Sequence, residues 1–323
     1  MKTTLIIALA SVVIGAGASG CKSRPAAKGE GLKGEISISG AFALYPLVVK
    51  WADEFKQLHP GVRVDISAGG AGKGMTDVLA KVVDLGMVSR EVYPPELEKG
   101  AIGIAVAKDA VVPTINANNP ALPDLMKRGL TREAAVKLWI TGEYKTWGDV
   151  TGTPRAEAVH VYTRSDACGA AETWALWLGK KQEDLGGTAV YGDPGLATAI
   201  QKDALGIGLN NLSYAYDEGT RAPNPGLLVL PIDVNENGRL DDDELFYDTK
   251  DDIVRAIAED RYPSPPARDL YLVTNGVPGK PEVTAFLEFI LTKGQEYNVP
   301  TGYISLPAEK LQRGLKLLEQ KAN

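Results

Sequence analysis

Residues Val64 to Arg90 read as strand, glycine-rich loop, helix and strand again, and that order restricts the chain more than any other feature. Val62, Val64 and Ile66 alternate with Arg63 and Asp65, the period of a strand with one apolar face. Ser67 to Gly74 then holds four glycines in eight residues, after which Met75, Val78, Leu79, Val82 and Val83 recur at helical spacing. The loop empties into a helix N-terminus, where backbone N–H groups lack intrahelical acceptors and the helix dipole favours negative charge. A nucleotide P-loop is excluded because Lys73 is followed by Gly74 rather than Ser or Thr. Dinucleotide-binding spacing is excluded because Met75 stands where a third glycine would follow Gly70 and Gly72. A tight turn that binds nothing is the alternative; two further loop-to-helix starts elsewhere in the chain weigh against it.

The N-terminal residues belong to targeting. Lys2 precedes an apolar run from Leu5 to Ile14, small residues Gly15 to Gly20, and Cys21, which is a signal-peptide pattern. Ala18-Ser19-Gly20-Cys21 resembles a bacterial lipobox, so residues 1–20 are expected to be removed and Cys21 to carry a lipid. The apolar run is too short for a spanning helix of about 20 residues. Residues 21–34, polar and containing Gly and Pro, read as a flexible tether. The expected location is the periplasm or cell surface, with Cys21 holding the protein to the membrane. The formal charge is −6, with 35 basic and 41 acidic residues, which gives no basic footprint for nucleic acid. Cys168 is the other of two cysteines, so no intrachain disulfide remains once Cys21 is lipidated.

The remaining chain of about 290 residues exceeds what one core usually serves. Glu35 to Ser39 is a strand, and Tyr45 to Leu58 a helix with Leu47, Val48, Trp51, Phe55 and Leu58 on its apolar face and Pro46 in its first turn. Ile102 to Pro113 is a long β-rich run that continues past the polar pair Lys108-Asp109, as a strand leaving one domain for another would. Thr131 is placed as an N-cap. Val159 to Thr163 is a strand running into Arg164–Trp174, the third loop-to-helix start. Leu205 to Leu212, Leu227 to Ile232 and Arg268 to Thr274 read as strands, Val283 to Leu291 and Leu311 to Leu318 as helices. Alternating strands and helices imply an α/β fold with sheets covered on both faces.

Asp233 to Glu244 fits the twelve-residue calcium loop at each diagnostic place. Asp233, Asn235 and Asn237 fill positions one, three and five, Gly238 turns the chain, Arg239 offers its carbonyl, Asp241 fills nine and Glu244 is the bidentate twelfth. No helix precedes it, so a single structural Ca²⁺ is expected rather than an opening sensor pair.

Seven blocks carry a family resemblance. They are GAFALYPLVVKWADEF at Gly40 to Phe55, AGGAGKGM at Ala68 to Met75, VDLGMVSR at Val83 to Arg90, the turn Arg164 to Thr173, GIGLNNLSYAY at Gly206 to Tyr216, RDLYLVTNG at Arg268 to Gly276, and GYISLP at Gly302 to Pro307. In that order the chain resembles the phosphate-binding proteins of bacterial ABC importers. The resemblance implies a type II periplasmic-binding-protein fold: two doubly wound α/β domains joined by two crossovers, with a ligand cleft between them. Domain one would take residues 35–110 and 265–323, domain two residues 111–264. It also implies delivery to an ABC permease and ATPase complex by a monomer that is not an enzyme.

The family holds phosphate largely through Ser and Thr hydroxyls at helix starts, and this chain departs from that pattern. The matching positions are Ala41, Phe42, Ala43, Ala71, Cys168 and Ala170, with Gly70, Gly72 and Gly169 beside them. Backbone donors remain, as do Lys73, Ser89, Arg90 and Arg164, the last a bidentate partner for an oxyanion. Lys73 is equally readable as a solvated side chain, and Cys168 as a small buried hydrophobe. The expected ligand is phosphate or a related oxyanion; the alternatives are a small organic acid, or a sensor or scaffold without transport. Catalysis finds no constellation: His59 and His160 are the only histidines, and Cys168 has no identifiable base.

Overall fold

The computed structural model describes residues 31–319, so the leader and Cys21 lie outside the described residues. In chain order the first part comprises β1 (Lys33–Gly40), α1 (Tyr45–Leu58), β2 (Gly61–Ala68), α2 (Ala71–Leu79), β3 (Leu85–Val88), α3 (Pro94–Glu98) and the long β4 (Ala101–Asn116). There follow α4 (Leu122–Arg128), α5 (Arg132–Trp139), α6 (Trp147–Thr151), β5 (His160–Arg164), α7 (Gly169–Trp177), β6 (Thr188–Val190), α8 (Gly192–Lys202), β7 (Gly206–Asn211), α9 (Leu212–Ala215) and β8 (Leu227–Val229). The chain closes with α10 (Lys250–Ala258), β9 (Ala267–Asn275), α11 (Pro281–Leu291) and α12 (Ala308–Glu319).

Two hydrophobic cores divide these elements. One gathers Ile36, Trp51, Phe55, Met87, Leu272 and Phe286; the other gathers Trp139, Trp147, Trp174, Leu209, Ile253 and Tyr262. We refer to the elements around them as the first and second lobes. The strands run β2-β1-β3-β9-β4-β7-β5-β6, with β8 also on β4. β1 pairs in parallel with β2 and β3, and β5 in parallel with β6 and β7. β4 and β9 pair antiparallel from Ala101↔Asn275 to Ala110↔Ala267 and pass between the lobes together. Along β4 the core changes between Ala107 and Ala110, and along β9 between Leu270 and Ala267. Lys108 and Asp109 are thus the charged residues at the passage, opposite Asp269 and Arg268.

Local chemistry accounts for most boundaries. α1 begins at Tyr45 with a proline in its first turn, where a missing N–H costs nothing, and buries Leu47, Val48, Trp51 and Phe55. Thr131 caps α5, its Oγ1 accepting from the Ala134 N–H at 3.0 Å. α2 departs from the expected pattern: it ends at Leu79, Lys81 takes φ +58°, and Val82 is exposed, so the apolar spacing does not carry the helix to Val83. Among the described residues no helix is long and apolar enough to cross a membrane.

Candidate functional site

The glycine-rich loops gather where the lobes touch. Gly40 ends β1, and its carbonyl accepts from the N–H groups of Gly69 and Gly70 at 2.9 and 3.1 Å. The Ala41 N–H donates to the Met87 carbonyl at 2.9 Å, which ties the turn before α1 to the end of β3. Gly70 sits at φ +92° immediately before α2, a conformation that favours glycine, and a Cβ there would meet the Ala167 carbonyl at 2.9 Å. In the first turn of α2 the Gly72 N–H crosses to the second lobe and donates to that Ala167 carbonyl at 3.1 Å. Two residues after Ala167, Gly169 starts α7 packed on Ser89, where a Cβ would run into the Ser89 carbonyl. The starts of α2 and α7 and the turn before α1 are therefore neighbours.

The small side chains at these starts are buried: Ala41, Ala43, Ala71, Ser89, Cys168 and Ala170 all lie inside. Cys168 caps α7, with Sγ 3.4 Å from the Ala171 N–H, and burial pushes its thiol up to about 12. At neutral pH it is a thiol rather than a thiolate, which suits a small packed group. Phe42 lies over the Arg164 guanidinium at 5.7 Å and meets Tyr191 and Tyr214 edge-on at 6.2 and 6.5 Å. The Tyr214 hydroxyl donates to the Phe42 carbonyl at 3.2 Å, a second bond across the lobes.

All three cations expected at an anion are engaged with the protein's own carboxylates. Arg164 donates from Nε and Nη2 to Asp166 at 2.9 and 2.6 Å and from Nη1 to Asp193 at 2.5 Å. Burial opposes its charge, and Asp193 with Asp166 nevertheless holds its pKa above the ordinary value. Arg90 makes two hydrogen bonds to Glu96, and Lys73 pairs with Asp77 one turn along α2. Arg164, expected as a bidentate partner for an oxyanion, lies in a buried cluster of one guanidinium and two carboxylates. Asp166 also accepts from the Gly192 N–H at 3.1 Å, and Asp193 from Asn211 Nδ2 at 2.7 Å.

From Asn211 the network continues to a pair the sequence did not single out. Arg268 donates to the Gly169 carbonyl at 2.8 Å and to Asn211 Oδ1, and its Nη2 lies 3.6 Å from Asp109. Both oxygens of Asp109 and the Nε of Arg268 are buried without a hydrogen-bond partner. Burial pushes the Asp109 carboxyl up to about 6, against the opposing charge of Arg268. Burial likewise lowers the pKa of Arg268 below its ordinary value. The available signal was a charged residue interrupting an apolar strand, at Asp109 and again at Arg268.

The loop Asp233 to Glu244 folds on itself. Gly238 takes φ +84°. Asp233 accepts from the Gly238 N–H at 2.8 Å, and Glu244 accepts from Val234 and Asp241 N–H at 2.7 and 3.1 Å. Asn235 and Asn237 both turn their Nδ2 to Asp241, at 2.9 and 2.8 Å, and the Arg239 N–H donates to Asn237 Oδ1. Among the described residues no three His, Cys, Asp or Glu side chains gather closely enough to hold a metal ion.

Residues 25–293 match the family described as PBP superfamily domain. The phosphate-binding protein PstS of Pseudomonas aeruginosa is 26% identical over 97% of this chain and 98% of its own length. That of Bacillus subtilis is 26% identical over 64% of this chain and 67% of its own length. A solved structure from Clostridium perfringens, described as a putative phosphate ABC transporter substrate-binding protein with bound phosphate, superposes with TM-score 0.69 at 20% identity, covering 85% of this chain and all of its own. An ABC-type phosphate transport receptor from Vibrio cholerae superposes with TM-score 0.62 at 19% identity over 84% of this chain and all of its own. These likenesses show the fold, the type II periplasmic-binding-protein arrangement.

Proposed function

Because this chain belongs to the PBP superfamily domain family, we propose that it is the extracytoplasmic solute-binding component of an ABC importer, holding phosphate or a related oxyanion between its lobes. The observation that carries the reading is the meeting of the starts of α2 and α7 across the lobes, through Gly72 with Ala167 and Gly169 with Ser89. Helix N-termini at such a junction supply N–H donors and dipole to an anion that bridges the lobes. Closure around the ligand would then present both lobes to a permease and its ATPase. Its protein partners would be those transporter subunits, and it would act as a monomer that binds rather than transforms its ligand. Lipidation at Cys21, proposed from the leader pattern, would keep it at the membrane.

A second reading, a small organic acid in place of phosphate, is favoured by the two carboxylates on Arg164. They leave a local excess of negative charge that a dianion must overcome. Titration calorimetry on phosphate-free protein tests the proposal. Saturable phosphate binding of about micromolar strength or tighter is expected, abolished by Ala170→Asp, which would put a carboxylate at the start of α7. Absence of heat with phosphate, sulfate and small organic acids alike would overturn it.

We also propose one structural Ca²⁺ at Asp233, Asn235, Asn237, Arg239, Asp241 and Glu244. The order of donor types and the burial of the Asp233 and Glu244 side chains support it. Binding would require Asn235 and Asn237 to turn their amide oxygens inward from Asp241.

A further inference from the structure

Phe42 belongs to the first lobe, yet its ring is seated on the second. The turn that carries it is anchored from both sides, because Ala41, Ala43 and Leu44 are buried in the first core. Phe42 itself is only partly buried. Its ring covers the Arg164 guanidinium at 5.7 Å and meets Tyr191 and Tyr214 edge-on. A Cβ on Gly192, the first residue of α8, would stand 3.2 Å from the ring's Cζ, so the ring packs against that helix start. Below the ring lie side chains withdrawn from water: Arg164 at 0%, Asp193 at 1% and Asp166 at 7% exposure. The Phe42 carbonyl is held as well, by the Tyr214 hydroxyl.

Parting the lobes would expose the ring and uncover the ion cluster together. The lost contacts are an aromatic cation pair in a dry setting, two edge-on ring pairs and buried apolar surface, all of which favour the joined lobes. The helix starts beneath are correspondingly tight. The Gly72 N–H is spent on the Ala167 carbonyl, and a Cβ on Gly72 would come within 2.8 Å of the Ala167 Cβ. A tetrahedral oxyanion is wider than the methyl group that is already refused there, so it reaches these donors after the lobes have moved apart. We infer that Phe42 is the latch of the anion site: it holds the two lobes together at the helix starts, and its release from Gly192 and Arg164 admits the ligand. The inference deepens the solute-binding reading and rests on it for the identity of the ligand.

The Gly72 N–H reports on the latch, since its acceptor lies on the other lobe. Hydrogen exchange read by mass spectrometry on the purified full chain, in phosphate-free buffer, should be at least about tenfold faster at the start of α2 in Phe42→Ala than in wild type. Phe42→Tyr, which keeps the ring, should exchange as wild type does. Tyr214→Phe, which loses only the hydroxyl that holds the Phe42 carbonyl, should fall between them and decides if Phe42→Ala does not fold. Strand β7, inside the second core, should exchange at the wild-type rate throughout. Stopped-flow tryptophan fluorescence with inorganic phosphate should show association about tenfold faster in Phe42→Ala, because less of the protein is held in the latched form. Unchanged exchange at α2, or equal acceleration in β7, would overturn the latch. Faster exchange at α2 with no faster phosphate association would overturn its role in admitting ligand. If phosphate binds none of these proteins the transporter reading fails, and the exchange rates alone decide whether the ring holds the lobes.

Discussion

Asp109→Asn removes one charge from the passage between the lobes while keeping the shape of the side chain. In the folded protein burial raises the Asp109 carboxyl from its ordinary 3.8 to about 6, Arg268 acting in the opposite sense. A folded pKa above the unfolded one means that the native state holds the proton more tightly. The associated stability is therefore full below about pH 4 and is lost as pH rises through about 6. That displacement is worth about 3 kcal/mol, an order-of-magnitude figure, and asparagine carries none of it. The variant also strips Arg268 of a carboxylate 3.6 Å away, but the attraction between them is already contained in the net value of about 6, because Arg268 acts on the ionised form. Comparing two pH values cancels whatever else the substitution does that is independent of pH and keeps the titration. Urea denaturation of both proteins at about pH 4.5 and about pH 7.5 should show the variant gaining roughly 2 kcal/mol on the wild type between the two conditions. If the difference between them is the same at both pH values, the carboxyl does not titrate where its burial places it, and the reasoning fails.

Cys21→Ala should release the protein from membranes; fractionation that finds the variant still membrane-bound would remove the lipid anchor from the account. Chelation should lower the melting temperature of calcium-loaded protein, and Glu244→Gln should erase most of that difference by mass action. Superimposable melts with calcium and with chelator would remove the ion.

The sequence carried the architecture because the periodicities are local. The apolar face and Pro46 set helix α1 at Tyr45 to Leu58, and the structure has it at those residues. Val82 and Val83 continue the apolar spacing of α2, while the backbone has already turned at Lys81. The neighbouring helix starts were legible as glycine-rich turns after strands. The partners of the cations were less so. Arg164 finds Asp193 from 29 residues away, a pairing fixed by how β5 and α8 stack and by nothing near either residue in the chain. Lys73 with Asp77 was within reach, being an i,i+4 pair on one helix face. Arg268 and Asp109 were hidden inside strand patterns, where a charge reads as a solvent-facing alternate until the strands are seen to cross between two cores.

Those two strands impose a mechanical rule on any motion of the lobes. β4 and β9 are laddered to each other across the passage, from Ala101↔Asn275 to Ala110↔Ala267, with an irregularity at Ala105/Ala107. A single strand could swivel about one bond, but a laddered pair resists shear between its members and yields by twisting and bending as a ribbon. The extra residue at Val106 marks the place where that ribbon is already locally bent. Deleting it would make Ala105↔Tyr271 and Ala107↔Leu270 successive pairs of a regular ladder, straightening the ribbon and resetting the angle between the lobes, so its effect would be felt at the distant helix starts without touching them.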